Sequence, residues 1–263
     1  MRIFVVWLSL VLIFATGCGG SSHLTPTAVS GAYEFVVTSN VTGGVTLIES
    51  NLAANGSQSN ASGPNQVQVL TLEKKTWYVN GVCPGATPGQ NSVSASVAGN
   101  NATLTFNEGG YAFGGPAVVT GSAITGNYTV TGSTCADLIG VIGFPPGTDS
   151  GGFAGNHVPA LAGTYSGPLN LPDGTDNAAL TLTENPDQTL TVTAVLTGPI
   201  DNGTFTFTGS AVANVMFVSG SVNGQTLSLF GYFDRVGAYT GFPNSMLVFD
   251  YNTLAKAGVL LAQ

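Results

Sequence analysis

Charge is scarce in this chain. Asp, Glu, Lys and Arg make up 7% of its 263 residues, against roughly 25% in an average soluble domain. Cations are scarcest: five Lys and Arg stand against 13 Asp and Glu, for a net charge of −8. So few cations cannot neutralise a run of phosphates, which excludes a nucleic-acid partner. Histidine is nearly absent, with His23 in a Ser-rich N-terminal stretch and His157 in what reads as a linker. Neither sits in a segment that would orient its ring. A Ser/His/Asp or Cys/His nucleophile and a histidine zinc site are therefore not expected, and no cofactor or metal is called for. Helical spacing of apolar residues is missing from every long segment. Apolar residues are not missing: at 43% they supply enough burial to offset chain entropy, which argues against disorder.

The N-terminus carries an address. Met1-Arg2 is a short basic start, Ile3 to Phe14 is uncharged and apolar, and Ala15-Thr16-Gly17-Cys18 follows. The apolar run is shorter than the roughly 20 residues a bilayer span needs, so it reads as a signal-peptide core. Small residues directly before a cysteine resemble the lipobox of bacterial lipoproteins, with Ala15 where that family usually has Leu. The resemblance implies cleavage after residue 17, lipidation of Cys18 and membrane attachment through the lipid. Gly19 after the cysteine, rather than Asp, implies the outer membrane of a Gram-negative envelope. The alternative is an ordinary secretory signal cut near Gly17. Residues 18–29, opening Cys18-Gly19-Gly20-Ser21-Ser22, read as a flexible tether. Removing residues 1–17 takes Arg2 with it and leaves four cations against 13 acids.

Cys83 and Cys135 remain once Cys18 is set aside. In an oxidising envelope a lone pair is most simply a disulfide. Closing a loop of about 50 residues would stabilise by about 4 kcal/mol in the chain-entropy model. A redox or metal role lacks the Cys-x-x-Cys spacing.

Two segments share one texture, 30–144 and 161–263, separated by a Gly/Pro-rich stretch, 145–160, that reads as a linker. Ser30-Gly31-Ala32-Tyr33 opens one and Ala162-Gly163-Thr164-Tyr165 the other. Ser96-Val97 with Thr103 to Phe106 similarly matches Ser221-Val222 with Thr226 to Leu229, so the halves look like diverged tandem copies. Apolar and polar residues alternate at period two, as in Leu190-Thr191-Val192-Thr193-Ala194 and Thr204-Phe205-Thr206-Phe207-Thr208. Alternation rich in Thr and β-branched residues means half-buried antiparallel strands. Asn223-Gly224 is the strongest hairpin signal, since both residues tolerate positive φ. Asn185-Pro186-Asp187-Gln188 fits a type I turn, with Pro setting φ at its second position.

The expected class is therefore all-β: two tandem antiparallel β-domains, each a small up-and-down barrel, with β-sandwiches as the alternative. Hairpin connections favour barrels, and closure removes strand edges that so few charges could protect. The C-terminal run Gly258 to Ala262 is expected to pair with the strand opening at Tyr165 and close the second barrel. The Gly-x-Tyr openings and run of hairpins are calycin-like in architecture, without the Gly-x-Trp opening of lipocalins.

Carboxylates and aromatics are the remaining chemistry. A glycosidase needs only two carboxylates at the right separation. Most Asp residues sit in turn-like sequence, where their side chains hydrogen-bond local backbone; Glu34 and Asp250 lie in strand-like runs and are the least explained. Asp173, Asp176 and Asn177 form a loose oxygen cluster without the spacing of a calcium loop. Trp77, Tyr78, Tyr232 and Tyr239 are the candidate ligand contacts, because rings can stack on sugars or line a barrel mouth. Core packing competes for the same rings. The reading is a non-catalytic, lipid-anchored envelope protein with a ligand-binding, adhesive or structural role. Its expected partners are a membrane, through the lipid, and a glycan or a small apolar ligand. The alternatives are a polysaccharide-acting enzyme with paired carboxylates and a carrier binding inside a barrel.

Overall fold

Every regular element of the described residues is a β-strand, and every pairing is antiparallel. The computed structural model describes residues 29–41, 43, 45–55, 60–62, 67–73, 76–79, 92–108, 111–133, 147–171, 174–199, 201–251 and 256–263. The first half contributes β1 (Gly31–Ser39), β2 (Val45–Asn55), β3 (Asn60–Ser62), β4 (Val67–Glu73), β5 (Thr76–Val79), β6 (Ser92–Ala98), β7 (Asn101–Glu108), β8 (Tyr111–Thr120), β9 (Ala123–Ser133) and β10 (Gly147–His157). The second contributes β11 (Ala162–Leu171), β12 (Gly174–Glu184), β13 (Thr189–Thr197), β14 (Asn202–Val212), β15 (Val215–Val222), β16 (Gln225–Asp234), β17 (Ser245–Asp250) and β18 (Lys256–Ala262).

The second half is a closed barrel of eight strands in chain order. Closure comes from β18 against β11, with Tyr165 opposite Ala262 and Leu169 opposite Gly258, so the final strand does what its position in the sequence leads one to expect. Inward residues, such as Leu180, Leu182, Val192, Phe207, Val218 and Val248, merge into one buried cluster that occupies the interior. Asn223 and Gly224, at φ +49° and +84°, form the two-residue turn between Val222 and Gln225. Asn185 to Gln188 also turns as read, with the Gln188 N–H donating to the Asn185 carbonyl at 2.8 Å.

The first half is a curled, barrel-like sheet. β1 pairs on one side with β10, followed by β9, β8, β7 and β6, and on the other with β2. The short β3 links β2 to β6 through Ala61 and Ser62. β4 occupies the other half of that β2 edge, and β5 pairs with β4. Phe35, Phe106, Phe113, Tyr128 and Phe153 pack edge-on or stacked in its core.

One boundary differs from the sequence reading. Most of the stretch read as a linker, 145–160, is strand β10, paired with both β1 and β9. The connection to the second barrel is only Val158-Pro159-Ala160-Leu161. Gly151 and Gly155 of β10 make room for neighbouring groups rather than for turns. A Cβ on Gly155 would run into the Phe35 ring, and one on Gly151 into the Thr38 carbonyl and the Tyr128 ring. Rings lying across bare backbone make a sound strand whose sequence imitates a loop. His157, read as unheld, is the last residue of β10 and packs edge-on against Tyr33 at 5.5 Å.

The two opening motifs occupy equivalent places. Gly31 and Gly163, at φ +137° and +130°, each begin or adjoin the first strand of a domain, two residues before a buried tyrosine. The second matched pair is different. Three strands follow the β6–β7 hairpin before its domain ends, whereas two follow β15–β16. That match joins hairpins at different places in their sheets.

Gly155→Ala should cost about 1–3 kcal/mol, the range for overpacking a filled core, because Phe35 is fully buried and has nowhere to go. Urea denaturation of the variant checks this; unchanged stability would mean that the ring does not cover the strand.

Candidate functional site

Outward-facing strand residues normally meet water. On β1 these are Ala32, Glu34, Val36 and Thr38, and their register partners on β2 are Asn51, Glu49, Leu47 and Val45. Here that face is covered by the outside of the second barrel. β16 and β17 are buried on both faces, which is why they read as nearly continuous apolar runs. Val215, Phe230, Tyr232, Leu247 and Phe249 pack with Leu47 into a third buried cluster, with Val36, Val45, Phe217 and Tyr239 at its margin. The aromatic crowding near the C-terminus thus divides. Phe233 points into the barrel core, while Phe230, Tyr232 and Phe249 form the joint between domains.

A polar cluster lies in this joint, with Glu49, Asn51 and Asn214 buried and Glu34 and Arg235 half-buried. Glu34 and Glu49 face each other across β1 and β2, which puts their Cβ atoms about 5 Å apart. Glu34 Oε2 accepts hydrogen bonds from Tyr232 Oη at 2.6 Å and Asn214 Nδ2 at 3.0 Å. Glu49 Oε2 accepts the Asn214 backbone N–H at 3.0 Å. Arg235 Nε donates to Asn214 Oδ1 at 2.8 Å, and Nη2 donates to the Pro159 carbonyl at 2.6 Å. The guanidinium also lies 4.7 Å from the centre of the Phe233 ring. Asn51 bridges the turn between β14 and β15, donating to the Ala211 carbonyl and accepting the Ala213 N–H.

Glu49 has no exposed surface, and its Oε1 meets no donor. Burial first, then the neighbouring Glu34 charge, push its carboxyl well above the usual range, outweighing the Asn214 N–H and Arg235. Both the enclosure and the facing Glu34 carboxylate favour the neutral acid at Glu49. The same surroundings raise the Tyr232 hydroxyl, through burial and then the two glutamates. They also push Tyr239 up to about 12. Burial lowers the Arg235 guanidinium.

This pair satisfies half of what a paired-carboxylate enzyme requires: two acids together, one of them raised. The other half is access, and a substrate would have to part the barrels to reach Glu49. Beside the joint lies an open groove of 390 Å³, lined in part by Ala32, His157, Pro159, Glu184 and Ala213.

Other acids are committed to structure. Asp234, fully buried, accepts the N–H groups of Gly237, Ala238, Tyr239 and Thr240 and the Thr240 hydroxyl, folding the loop after β16 around itself. Asp149 accepts from Tyr128 Oη and Ser39 Oγ at 2.7 and 2.8 Å. Glu184 accepts the Leu161 N–H. The loose calcium cluster does not assemble as read. Asp176 points inward and accepts the Asp201 N–H, while Asn177, its neighbour along β12, points outward. Adjacent strand residues face opposite sides. Asp173 lies outside the described residues, as do Cys18, Cys83 and Cys135.

Of the four candidate ligand contacts, the fold brings two together. Tyr232 and Tyr239 meet edge-on at 5.9 Å in the joint, where Tyr232 is a buried hydrogen-bond donor rather than an open platform. Trp77 and Tyr78 lie on β5, opposite Leu72 and Thr71. Sequence reasoning singled out Glu34 but missed Asn51, Asn214, Arg235 and the pairing with Glu49. A hairpin centred near residue 42 would have set residues 34 and 49 opposite one another; nothing local could have told that their face is covered.

Asp234→Ala should destabilise by at least about 3 kcal/mol, since five donors lose a buried charged acceptor. Asp234→Asn should cost less, because it keeps one acceptor oxygen. Urea denaturation of both variants measures the difference. Neither a protein-family model nor a curated protein sequence matches this chain.

Proposed function

We propose that this chain is a non-catalytic envelope lipoprotein, anchored to the outer membrane through lipidated Cys18, that presents its second barrel as an adhesive face for a neutral glycan. The observation that carries the reading is the outer surface of β12, β13 and β14. Its outward positions on these strands are Thr175, Asn177, Ala179, Thr181 and Thr183; Thr189, Thr191, Thr193, Val195 and Thr197; and Asn202, Thr204, Thr206, Thr208 and Ser210. None is charged.

These residues line up across strands. Thr164, Thr181, Thr193 and Thr206 form one rung, and Thr183, Thr191, Thr208, Ser219 and Ser228 another. Strand spacing sets neighbours on a rung about 4.8 Å apart, and the pleat sets rungs about 6.7 Å apart. Hydroxyls and amides on such a grid can hydrogen-bond sugar hydroxyls, while the threonine methyls meet the apolar faces of the rings. The absence of charge favours a neutral partner over an anionic one, since cations are too few to draw anions in. The buried cluster filling the second barrel supports surface binding over carriage inside it. A Cys83–Cys135 disulfide belongs to the same reading, as a staple suited to an oxidising envelope.

Two experiments test this. Lipid-free protein should co-sediment with an insoluble neutral polysaccharide such as cellulose or chitin, with little loss at high salt. Thr193→Lys with Thr206→Lys should weaken that binding at least about tenfold, some 1.4 kcal/mol, without altering thermal stability. No binding by the unmodified protein would refute the glycan reading. Separately, Cys18→Ser should move the protein from the membrane to the soluble fraction, and unchanged fractionation would refute the anchor. Non-reducing mass spectrometry should find Cys83 joined to Cys135; two free thiols would remove the staple.

A further inference from the structure

A wholly buried acid facing a half-buried one gives the joint a proton requirement. We infer that the contact between the two barrels is a proton-operated latch: the Glu34–Glu49 pair holds one proton when the domains are docked, and the joint loosens when that proton leaves. The latch stands apart from the glycan reading and does not depend on it.

The geometry makes the case. The two carboxyls sit on directly opposed residues of β1 and β2, on the one face of that sheet which the second barrel covers. Three hydrogen bonds reach them from across the joint. Asn214 gives its backbone N–H to Glu49 and its side-chain amide to Glu34, and Tyr232 gives its hydroxyl to Glu34. The remaining oxygen, Glu49 Oε1, is enclosed with no donor, and a proton between the acids satisfies it. If both ionised, two negative charges would oppose each other with Glu49 wholly shut off from the surface.

The surroundings offer little relief. β1 supplies Glu34 itself. From β16 and its following loop come Tyr232, Arg235 and Tyr239, with Asp234 behind Tyr239. On β4 the register partner of Glu49 is the uncharged Gln68. From β17 comes Leu247. Arg235, the one cation beside the pair among the described residues, reaches the acids through Asn214 rather than touching them.

The sign follows from linkage. Docked, the Glu49 carboxyl is raised by burial and by Glu34; undocked and wet, it returns to an ordinary carboxyl value. The docked state therefore binds more protons between those two values. Docking is strongest below the ordinary value and weakens as pH rises toward the raised one, by up to about tenfold per pH unit for one proton. The chain itself is closed by only four residues between β10 and β11, so an opened joint stays tethered and can re-form.

Amide hydrogen exchange on the full mature chain reads the latch directly, because the Ala213 and Asn214 amides bond across the joint. After correction for intrinsic exchange, their protection should fall by up to about tenfold per pH unit above the ordinary carboxyl range. Barrel-core amides such as Val192 and Phe207 should hold theirs. Glu49→Gln keeps a permanent donor and should flatten the profile; Glu34→Gln removes the facing charge but leaves Glu49 buried, and should narrow the pH range over which protection falls. The inference is overturned if Glu49→Gln retains the wild-type slope, or if joint and core amides lose protection together. It is also overturned if calcium, against an EDTA control, restores docking at high pH, since a cation rather than a proton would then bridge the acids. The result with polysaccharide bears on none of these outcomes.

Discussion

The packing of one sheet's outer face onto another barrel's outer face governs this molecule. Each domain has its own filled core, and either could in principle stop there. Instead Val36, Val45 and Leu47 on one side meet Phe217, Phe230, Leu247 and Phe249 on the other. That burial takes Glu49 wholly out of water, raises its carboxyl and the Tyr232 hydroxyl, and lowers the Arg235 guanidinium. A buried acid pair is a poor source of stability, because desolvation consumes most of what its hydrogen bonds provide. Its consequence is conditional contact: the apolar cluster supplies attraction, and the acids make that attraction depend on proton supply.

Glycine placement answers to the same packing logic at smaller scale. In β10 the glycines make room for the rings of Phe35 and Tyr128, so the first sheet curls tightly around an aromatic core. At Asn223-Gly224 they instead permit a two-residue turn. One residue type serves two physical ends, and only the neighbours distinguish them. The same holds for aspartate. Asp187 is fully exposed and is held below the ordinary carboxylate range by the Thr189 hydroxyl and amide in its own turn. Asp234 organises a whole loop from a buried position.

Poverty of charge takes on a definite meaning in this setting. The outer face of β12 to β14 is wet without being ionic, carried by Thr, Asn and Ser. Such a face resists neither close approach nor high salt, which suits contact with an uncharged surface. Closure of the second barrel supplies the protection from edge-to-edge association that charge would otherwise give.

The sequence by itself determined the class of structure, because period-two alternation and turn chemistry are local. Leu190 to Ala194 could be read as a strand, Asn223-Gly224 as a hairpin turn, and the last strand as the one that closes a barrel, without knowledge of any contact. The counts of histidines and cations likewise set which chemistry to expect. What lay beyond it were matters of who sits beside whom. Strand β10 was hidden because glycines under rings look like glycines in a loop. Glu34 stood out as an acid in a strand, yet its partner, its donors and its burial belong to residues as far as 198 positions away. Tyr232 looked like a platform for a ligand and is a hydrogen-bond donor inside a joint. Tertiary structure decided these because burial of an outward face is settled by the body that covers it, and no residue on that face records the body's presence.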